Sequence, residues 1–182
     1  MVAHWRAERL YQRMELSKIE RLQLYNQYEI LKALYPKQQK DYQESQEVLM
    51  HGYEYHYDEL AQHIDDNTMS DDEGRETIDI LTMFESMQRS YDNLQDKSGI
   101  EEYRVTYHGF DGDHETKQMA YARFFCEHGG GQFVSLRKPS GYAGGVQTLP
   151  LYRGMLHEFN ASAKKYDLTK EDLIRITNAE RS

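Results

Sequence analysis

The length, composition and cysteine content of the chain limit the kinds of protein it can be. Its 182 residues fit one domain that buries a hydrophobic core, and 12% aromatic residues, 15 of them Tyr, exclude the composition of a disordered chain. One cysteine, Cys126, allows no disulfide within the chain, and no apolar run approaches the roughly 20 residues of a transmembrane helix. The N-terminus lacks the apolar core of a signal peptide. We therefore expect a soluble, cytoplasmic protein.

The formal net charge of -9 is unevenly distributed along the chain. Residues 41–102 contain 18 Asp or Glu and three Lys or Arg, whereas residues 103–182 contain nine and eleven. A phosphate backbone is repelled by a surface of its own sign, so the acidic middle is not a general nucleic-acid platform. It is either a solvated face or a surface for a basic protein partner.

The N-terminal third predicts two antiparallel helices. Ser17 and Glu20 form a capping box that begins the first helix, and Pro36 ends it and opens the second, which runs to Gly52. The first helix carries apolar residues at mostly helical spacing: Ile19, Leu22, Tyr25, Ile30, Leu31 and Leu34. Residues 52–61 alternate like a strand at first, but their second half favours helix, so we predict a helix there.

The middle of the chain predicts the central helix of the core. Ser70 and Glu73 make a second capping box, which begins a helix of about six turns over residues 71–94. One face of this helix carries a series of apolar residues: Ile78, Leu81, Phe84, Tyr91 and Leu94. Residues 100–107 fit either a short helix or an extended segment.

The C-terminal part predicts three more helices and one long loop. Asp111 or Asp113 is expected to cap the first of these helices, and the glycine-rich residues 129–148 form the loop after it. Pro150 opens the next helix, and Thr169 is the N-cap of the last.

Together these elements predict an all-α fold of about six helices packed on the helix of residues 71–94. A small β-hairpin is allowed within residues 132–147. No repeat or low-complexity linker divides the chain. The expected organisation is a single helical domain of residues 17–182 after an N-terminal extension of residues 1–16.

Two patterns resemble metal sites. His56, Glu59 and His63 share one face if residues 54–63 are helical, and imidazole and carboxylate groups suit zinc or iron. An acidic surface helix in a chain with eight histidines produces this spacing by chance, and we predict no metal and no cofactor. The sequence Asp111-Gly112-Asp113 begins like a calcium loop, but Ala122 stands where the bidentate Glu belongs.

Three patterns resemble catalytic motifs. His128-Gly129-Gly130-Gly131 matches an oxyanion loop, but the chain lacks the G-x-S-x-G nucleophile elbow. S-x-x-K occurs at residues 135–138 and 162–165 without its partner motifs. Cys126 and His128 are a candidate nucleophile and base, although two residues apart on a helix they do not face each other. The catalytic residues stay unknown, and a hydrolase that uses the 128–138 loop is an alternative function.

The one basic and aromatic grouping of the sequence lies around the long loop. Arg123, Arg137, Lys138 and Tyr142 could contact a phosphate or a single nucleic-acid strand. A regulatory nucleic-acid binder is therefore a second alternative, although a solvated loop explains these residues more simply, and nucleic acid is not the expected partner.

Several segments, in their order and spacing, are similar to a known family. They are Arg21-Leu22-Gln23-Leu24-Tyr25-Asn26-Gln27-Tyr28-Glu29, Glu76-Thr77-Ile78-Asp79-Ile80-Leu81, Tyr91-Asp92-Asn93-Leu94-Gln95-Asp96, Arg104-Val105-Thr106-Tyr107-His108-Gly109-Phe110-Asp111 and Tyr166-Asp167-Leu168-Thr169. Over residues 17–179 the chain thereby resembles the YfbU family of uncharacterised bacterial proteins. The resemblance implies a multihelical, cytoplasmic protein that self-associates, and it provides no catalytic residues.

The leading functional hypothesis is a non-enzymatic protein-binding or self-assembling helical module. It rests on the acidic middle, on the abundance of Tyr and Met, and on the lack of a coherent catalytic set. The expected partners are further copies of the chain or a basic protein.

Overall fold

The computed structural model describes residues 13–65, 67–136 and 143–179. These residues form eight α-helices, short 3-10 turns and two strands of two residues each, which confirms the all-α class. None of the described helices combines the length and the apolar character that crossing a membrane requires.

The chain divides into two compact units, Met1–Thr68 and Met69–Ser182. Two compact units can still fold together, so the single domain of residues 17–182 and the extension of residues 1–16 stay predictions. Each unit is described by itself below.

The first unit contains three helices and two 3-10 turns. They are α1 (Lys18–Leu34), a turn at Pro36–Gln38, α2 (Gln39–His51), a turn at Glu54–His56 and α3 (Tyr57–Leu60). The predicted capping box begins α1, because Ser17 Oγ accepts the Glu20 N–H at 3.3 Å and Glu20 Oε2 accepts the Ser17 N–H at 2.8 Å. Pro36 opens the turn that leads into α2, as predicted.

The helices α1 and α2 pack against each other in an antiparallel pair. Tyr28 near the middle of α1 contacts Tyr42 early in α2, whereas Arg21 at the start of α1 reaches Leu49 at the end of α2. Gly52 ends α2 in the left-handed conformation (φ 69°), where a Cβ would lie 2.8 Å from Arg21 Nη1. The predicted antiparallel pair and its glycine end are therefore confirmed.

The second unit contains the remaining helices and both strands. They are α4 (Asp71–Asn93), α5 (Glu102–Val105), β1 (Phe110–Asp111), α6 (Thr116–His128), a 3-10 turn at Val134–Leu136, β2 (Ala143–Gly144), α7 (Leu149–Asn160) and α8 (Lys170–Thr177). The six predicted helices correspond to α1, α2, α4, α6, α7 and α8. The four-residue helix α3 lies within the helix predicted for residues 52–61, and the four-residue helix α5 lies within residues 100–107, for which a short helix was one of two alternatives.

The core of the second unit is built around α4. Its buried face includes Leu81, Phe84 and Met87, and α5, α6, α7 and α8 all pack against this helix. The Phe84 ring meets the Tyr152 ring of α7 edge to face, with centroids 4.8 Å apart. The predicted apolar face of this helix is confirmed: Leu81, Phe84 and Tyr91 are buried, and Ile78 and Leu94 pack against the same cluster.

The predicted cap of α6 is wrong. The helix begins at Thr116, and Glu115 occupies the N-cap position without a capping hydrogen bond from its side chain. Asp111 Oδ1 instead accepts the Asp113 N–H at 3.0 Å in the turn that precedes the helix. This local hydrogen bond holds the carboxylate inside the turn, so that neither Asp111 nor Asp113 caps α6.

The strand at Ala143–Gly144 pairs in parallel with Phe110–Asp111. Among the described residues of the interval in which a hairpin was predicted, no second strand pairs with it, and a 3-10 turn occupies Val134–Leu136. Residues 137–142, the centre of that interval, lie outside the described residues, and the hairpin stays a prediction.

Candidate interaction surface

One face of α1 exposes large apolar side chains. Ile19, Leu22, Ile30 and Leu34 are 69%, 59%, 60% and 65% exposed. Their spacing places them on one side of the helix, and the exposed residues Gln23, Asn26 and Ala33 lie on the same side. We call this face the α1 stripe; it consists of Ile19, Leu22, Gln23, Asn26, Ile30, Ala33 and Leu34.

The opposite face of α1 is fixed on α2 by a polar network around the buried side chain of Gln46. Gln46 Nε2 donates to Tyr25 O at 3.1 Å and to Glu29 Oε1 at 2.8 Å, and Lys32 Nζ donates to Gln46 Oε1 at 2.9 Å. The hydrogen bond from Gln46, and then that from Lys32, lower the pKa of Glu29, which keeps this carboxylate ionised. The network fixes the rotation of α1 about its axis and thereby directs the stripe away from α2.

A groove adjoins the stripe between α1 and α2. It has a volume of about 260 Å³ and is lined by Lys18, Arg21, Leu22, Tyr25, Leu49 and Met50. Arg21 Nη1 donates to Leu49 O at 3.0 Å, and the buried Arg21 Nε has no hydrogen-bond partner within the described residues. Leu22 belongs to both groove and stripe, so the two form one continuous surface.

The apolar residues of α1 were predicted from the sequence as one set, although they divide between two faces of the helix. Tyr25 and Leu31 are half-buried, whereas Ile19, Leu22 and Ile30 are exposed. A rotation of about 100° per residue places these two sets on opposite sides of the helix. This rotation can be calculated from the sequence alone. Because an ordinary surface helix has one apolar face, the second apolar face of α1 was the sequence signal for an interaction surface.

The candidate metal residues are only partly brought together. His56 Nδ1 lies 3.1 Å from Glu59 Oε1, but α3 ends at Leu60, and His63 lies in the turn beyond it. The shared helix face that the pattern requires is therefore not formed. No group of three possible metal ligands occurs among the residues that the structure describes.

The candidate nucleophile and base lie in different environments. Cys126 is buried in the core of the second unit, whereas His128 is exposed and stacks on Phe124 with ring centroids 5.5 Å apart. Gly129 ends α6, as predicted.

The remaining loop and S-x-x-K residues have local partners where they are described. Arg123 forms an ion pair with Glu127, with Nε and Oε1 3.4 Å apart. Ser162 Oγ donates to Asp172 Oδ1 at 3.2 Å and supports the start of α8. Ser135 lies in the turn at Val134–Leu136. The other basic and aromatic residues of the predicted nucleic-acid site lie outside the described residues: Arg137, Lys138 and Tyr142.

Much of the acidic middle is paired within the second unit. Glu76 accepts two hydrogen bonds from Arg153, of 2.7 and 2.9 Å, and Asp96 Oδ2 lies 2.6 Å from Lys170 Nζ. The hydrogen bond from Lys170, and then those from Ser98, lower the pKa of Asp96. Further pairs are Asp71 with Arg75, Glu73 with Lys117 and Glu85 with Arg89. These pairs reduce the charge available to a basic partner, which stays a prediction.

A second polar cluster, around Glu115, was not foreseen from the sequence. The Glu115 side chain is 5% exposed and accepts four hydrogen bonds. Oε2 accepts from the Asp111 N–H, the Thr148 N–H and Thr148 Oγ1, and Oε1 accepts from the Leu149 N–H at 2.7 Å. The carboxylate therefore caps the first turn of α7 and holds it against β1.

Gly109 completes this cluster. Its carbonyl oxygen accepts a hydrogen bond of 3.0 Å from the Tyr152 hydroxyl and lies 3.0 Å from Thr148 Oγ1, whose one proton is donated to Glu115. Burial raises the pKa of Tyr152, so this phenol stays protonated and able to donate. The cluster satisfies its own donors and acceptors, and its role is to fix the start of α7 beside β1.

An exposed histidine adds a pH-dependent contact at the same turn. His114 Nδ1 lies 2.7 Å from Asp111 Oδ2, and this hydrogen bond and charge raise the pKa of His114. The hydrogen bond from the Asp113 N–H, and then that from His114, lower the pKa of Asp111. A raised folded-state pKa stabilises the fold below the ordinary histidine pKa of about 6.5, and the effect is lost as the pH rises through the raised value.

We expect His114→Gln to lower the melting temperature at about pH 5.5 and to leave it nearly unchanged at about pH 8.5. The charged contact is lost as the pH rises through the raised pKa of His114, so the difference between the two proteins is expected to shrink toward the higher pH. Thermal unfolding of both proteins across this range measures the difference. A loss of equal size at both pH values would show that the contact with Asp111 does not depend on the imidazolium charge.

Two comparisons place the chain among known proteins. The YfbU domain family matches residues 14–179, which include the whole of α1. UPF0304 protein MJECS11 of Methanocaldococcus jannaschii is 38% identical over 170 residues, which cover 90% of this chain and 99% of that relative. The chain belongs to the YfbU family, a family of uncharacterised proteins, and the resemblance found in its sequence is confirmed.

Proposed function

We propose that this protein is a non-enzymatic helical module that assembles through the α1 stripe. The observation that carries the proposal is the exposure of Ile19, Leu22, Ile30 and Leu34 on one rigid helix face. Complete burial of a side chain of this size contributes roughly 1.5–3 kcal/mol. Covering the stripe therefore supplies the free energy that association needs.

The helix that carries the surface is also held in place without a partner. The Gln46 network and the contact of Arg21 with Leu49 hold α1 on α2, so association does not have to order the helix first. A continuous apolar surface with a basic edge at Lys18 has the character of a protein interaction site.

The alternative functions draw less support from the described residues. The hydrolase alternative uses the 128–138 loop with His128, which is exposed, and no catalytic partner of His128 was identified among the residues that the structure describes. The nucleic-acid alternative uses Arg137 and Lys138, which lie outside the described residues. Both alternatives, the cytoplasmic location and the bacterial origin stay predictions.

Sedimentation velocity of the purified natural chain tests the proposal. Between about 1 and about 200 µM we expect the sedimentation coefficient to correspond to an assembly, with dissociation only toward the lower end. The measurement is repeated at higher salt concentration. The assembly is expected to persist there, because an apolar interface is not weakened as salt rises. A monomer throughout this range would overturn the proposal.

A further inference from the structure

We infer that the α1 stripe pairs with the same stripe of a second copy, with the two helices antiparallel and Asn26 of both copies meeting at the two-fold axis. The inference rests on the proposed function, because it specifies which partner covers the assembly surface and in which orientation. Three features of the stripe support it: the spacing of its apolar residues, the position of Asn26 and the charges near its ends.

The spacing of the stripe is the same in both chain directions. Leu22 lies four residues before Asn26 and Ile30 four after it, and Ile19 lies seven before and Ala33 seven after. Side chains four and seven residues away lie within about 40° of the central residue on a helix. In an antiparallel pair centred on Asn26, Leu22 therefore meets the partner's Ile30, and Ile19 meets the partner's Ala33.

Two polar residues lie on the stripe, and Asn26 occupies its centre whereas Gln23 lies toward the side of Leu34. The Asn26 amide carries both donors and acceptors, so two Asn side chains related by a two-fold axis can hydrogen-bond to each other. In a pair centred on Asn26 the two amides can satisfy each other, which lowers the cost of burying them. A single buried Asn is a known device for fixing register between paired helices.

Charge favours the antiparallel orientation. It places the exposed Lys18 beside the last turn of the partner's α1, where unpaired carbonyl groups form the negative end of the helix dipole. Lys32, the cation of that turn, is held by Glu29 and Gln46. A parallel pair in heptad register from Ile19 would instead place Glu29 at a core position against its own copy.

Cysteine cross-linking of the full-length chain tests the orientation. Asn26→Cys is expected to form a disulfide-linked dimer under mild oxidation, because the two residues meet at the axis. A mixture of Ile19→Cys and Ala33→Cys proteins is expected to give a mixed dimer. Ile19→Cys alone is expected to give none, because its two copies lie about 21 Å apart along the antiparallel pair. The natural chain, whose Cys126 is buried, is the control.

The outcomes separate this inference from the proposed function. A dimer of Ile19→Cys alone, without a mixed dimer, would show a parallel pair and overturn the inference. An assembly by sedimentation in which Asn26→Cys does not cross-link would overturn the inference too, while leaving assembly itself established. A monomer by sedimentation overturns both. Cross-linking of Asn26→Cys together with the mixed dimer supports the antiparallel pair.

Discussion

The doubly substituted chain Leu22→Glu/Ile30→Glu is expected to sediment as a monomer at concentrations where the natural chain is assembled. Each substitution replaces an apolar side chain of the α1 stripe with a charge that the interface would have to bury without a partner. We expect the dissociation constant to rise at least about 100-fold, which corresponds to about 2.7 kcal/mol. Analytical ultracentrifugation of both proteins measures this change.

The stability of the same variant is expected to stay close to that of the natural chain. Leu22 and Ile30 are exposed, and the Gln46 network on the opposite face of α1 is untouched. Ile64→Glu is the matched control, because Ile64 is 74% exposed but lies outside the stripe. If Ile64→Glu dissociates the assembly as fully as the stripe variant does, the effect comes from added negative charge and the stripe is not the interface.

Glu115→Gln is expected to destabilise the fold by about 3 kcal/mol. The natural carboxylate accepts four hydrogen bonds at a site that is 5% exposed, from Asp111, Thr148 and Leu149. The amide has the same shape, but its NH₂ group faces N–H donors and leaves at least one of them unsatisfied. Chemical denaturation monitored by circular dichroism gives the loss in the free energy of unfolding.

Glu127→Gln is the matched control for this experiment. Glu127 lies in the last turn of α6, the helix that follows Glu115, and its side chain forms a surface ion pair with Arg123. Pairs of this type contribute about 0.3–0.5 kcal/mol, so the control is expected to be nearly as stable as the natural chain. Equal stability of the two variants would contradict the structural role of the Glu115 cluster.

The local part of the fold could be predicted from the sequence. The capping boxes at Ser17 and Ser70, the N-cap at Thr169 and the end of α2 at Gly52 are all present in the structure. Each of these features depends on residues within a few positions of one another, so spacing along the chain suffices to identify them. The same holds for the family, whose segments are continuous in sequence.

The predictions that went wrong involve competition between local alternatives. Asp111 and Asp113 were expected to cap α6, but Asp111 accepts a hydrogen bond from the Asp113 N–H within the preceding turn. The Asp111 carboxylate can accept a hydrogen bond either from the turn that precedes α6 or from the first turn of α6. The sequence alone does not determine which of these backbone N–H groups lies closer. The contact of β1 with β2 is likewise set by segments more than thirty residues apart.

The sequence by itself determined the helical class, the capped ends of α1, α2, α4 and α8, and the family, because capping, helix period and motif order are properties of neighbouring residues. Only the tertiary structure decided which apolar face of α1 is covered, since Gln46 lies on another helix and selects that face by hydrogen-bonding Tyr25 and Glu29. It alone also revealed that Glu115 caps α7, from 33 and 34 residues away. Both features depend on contacts between distant segments, whose geometry no local pattern encodes.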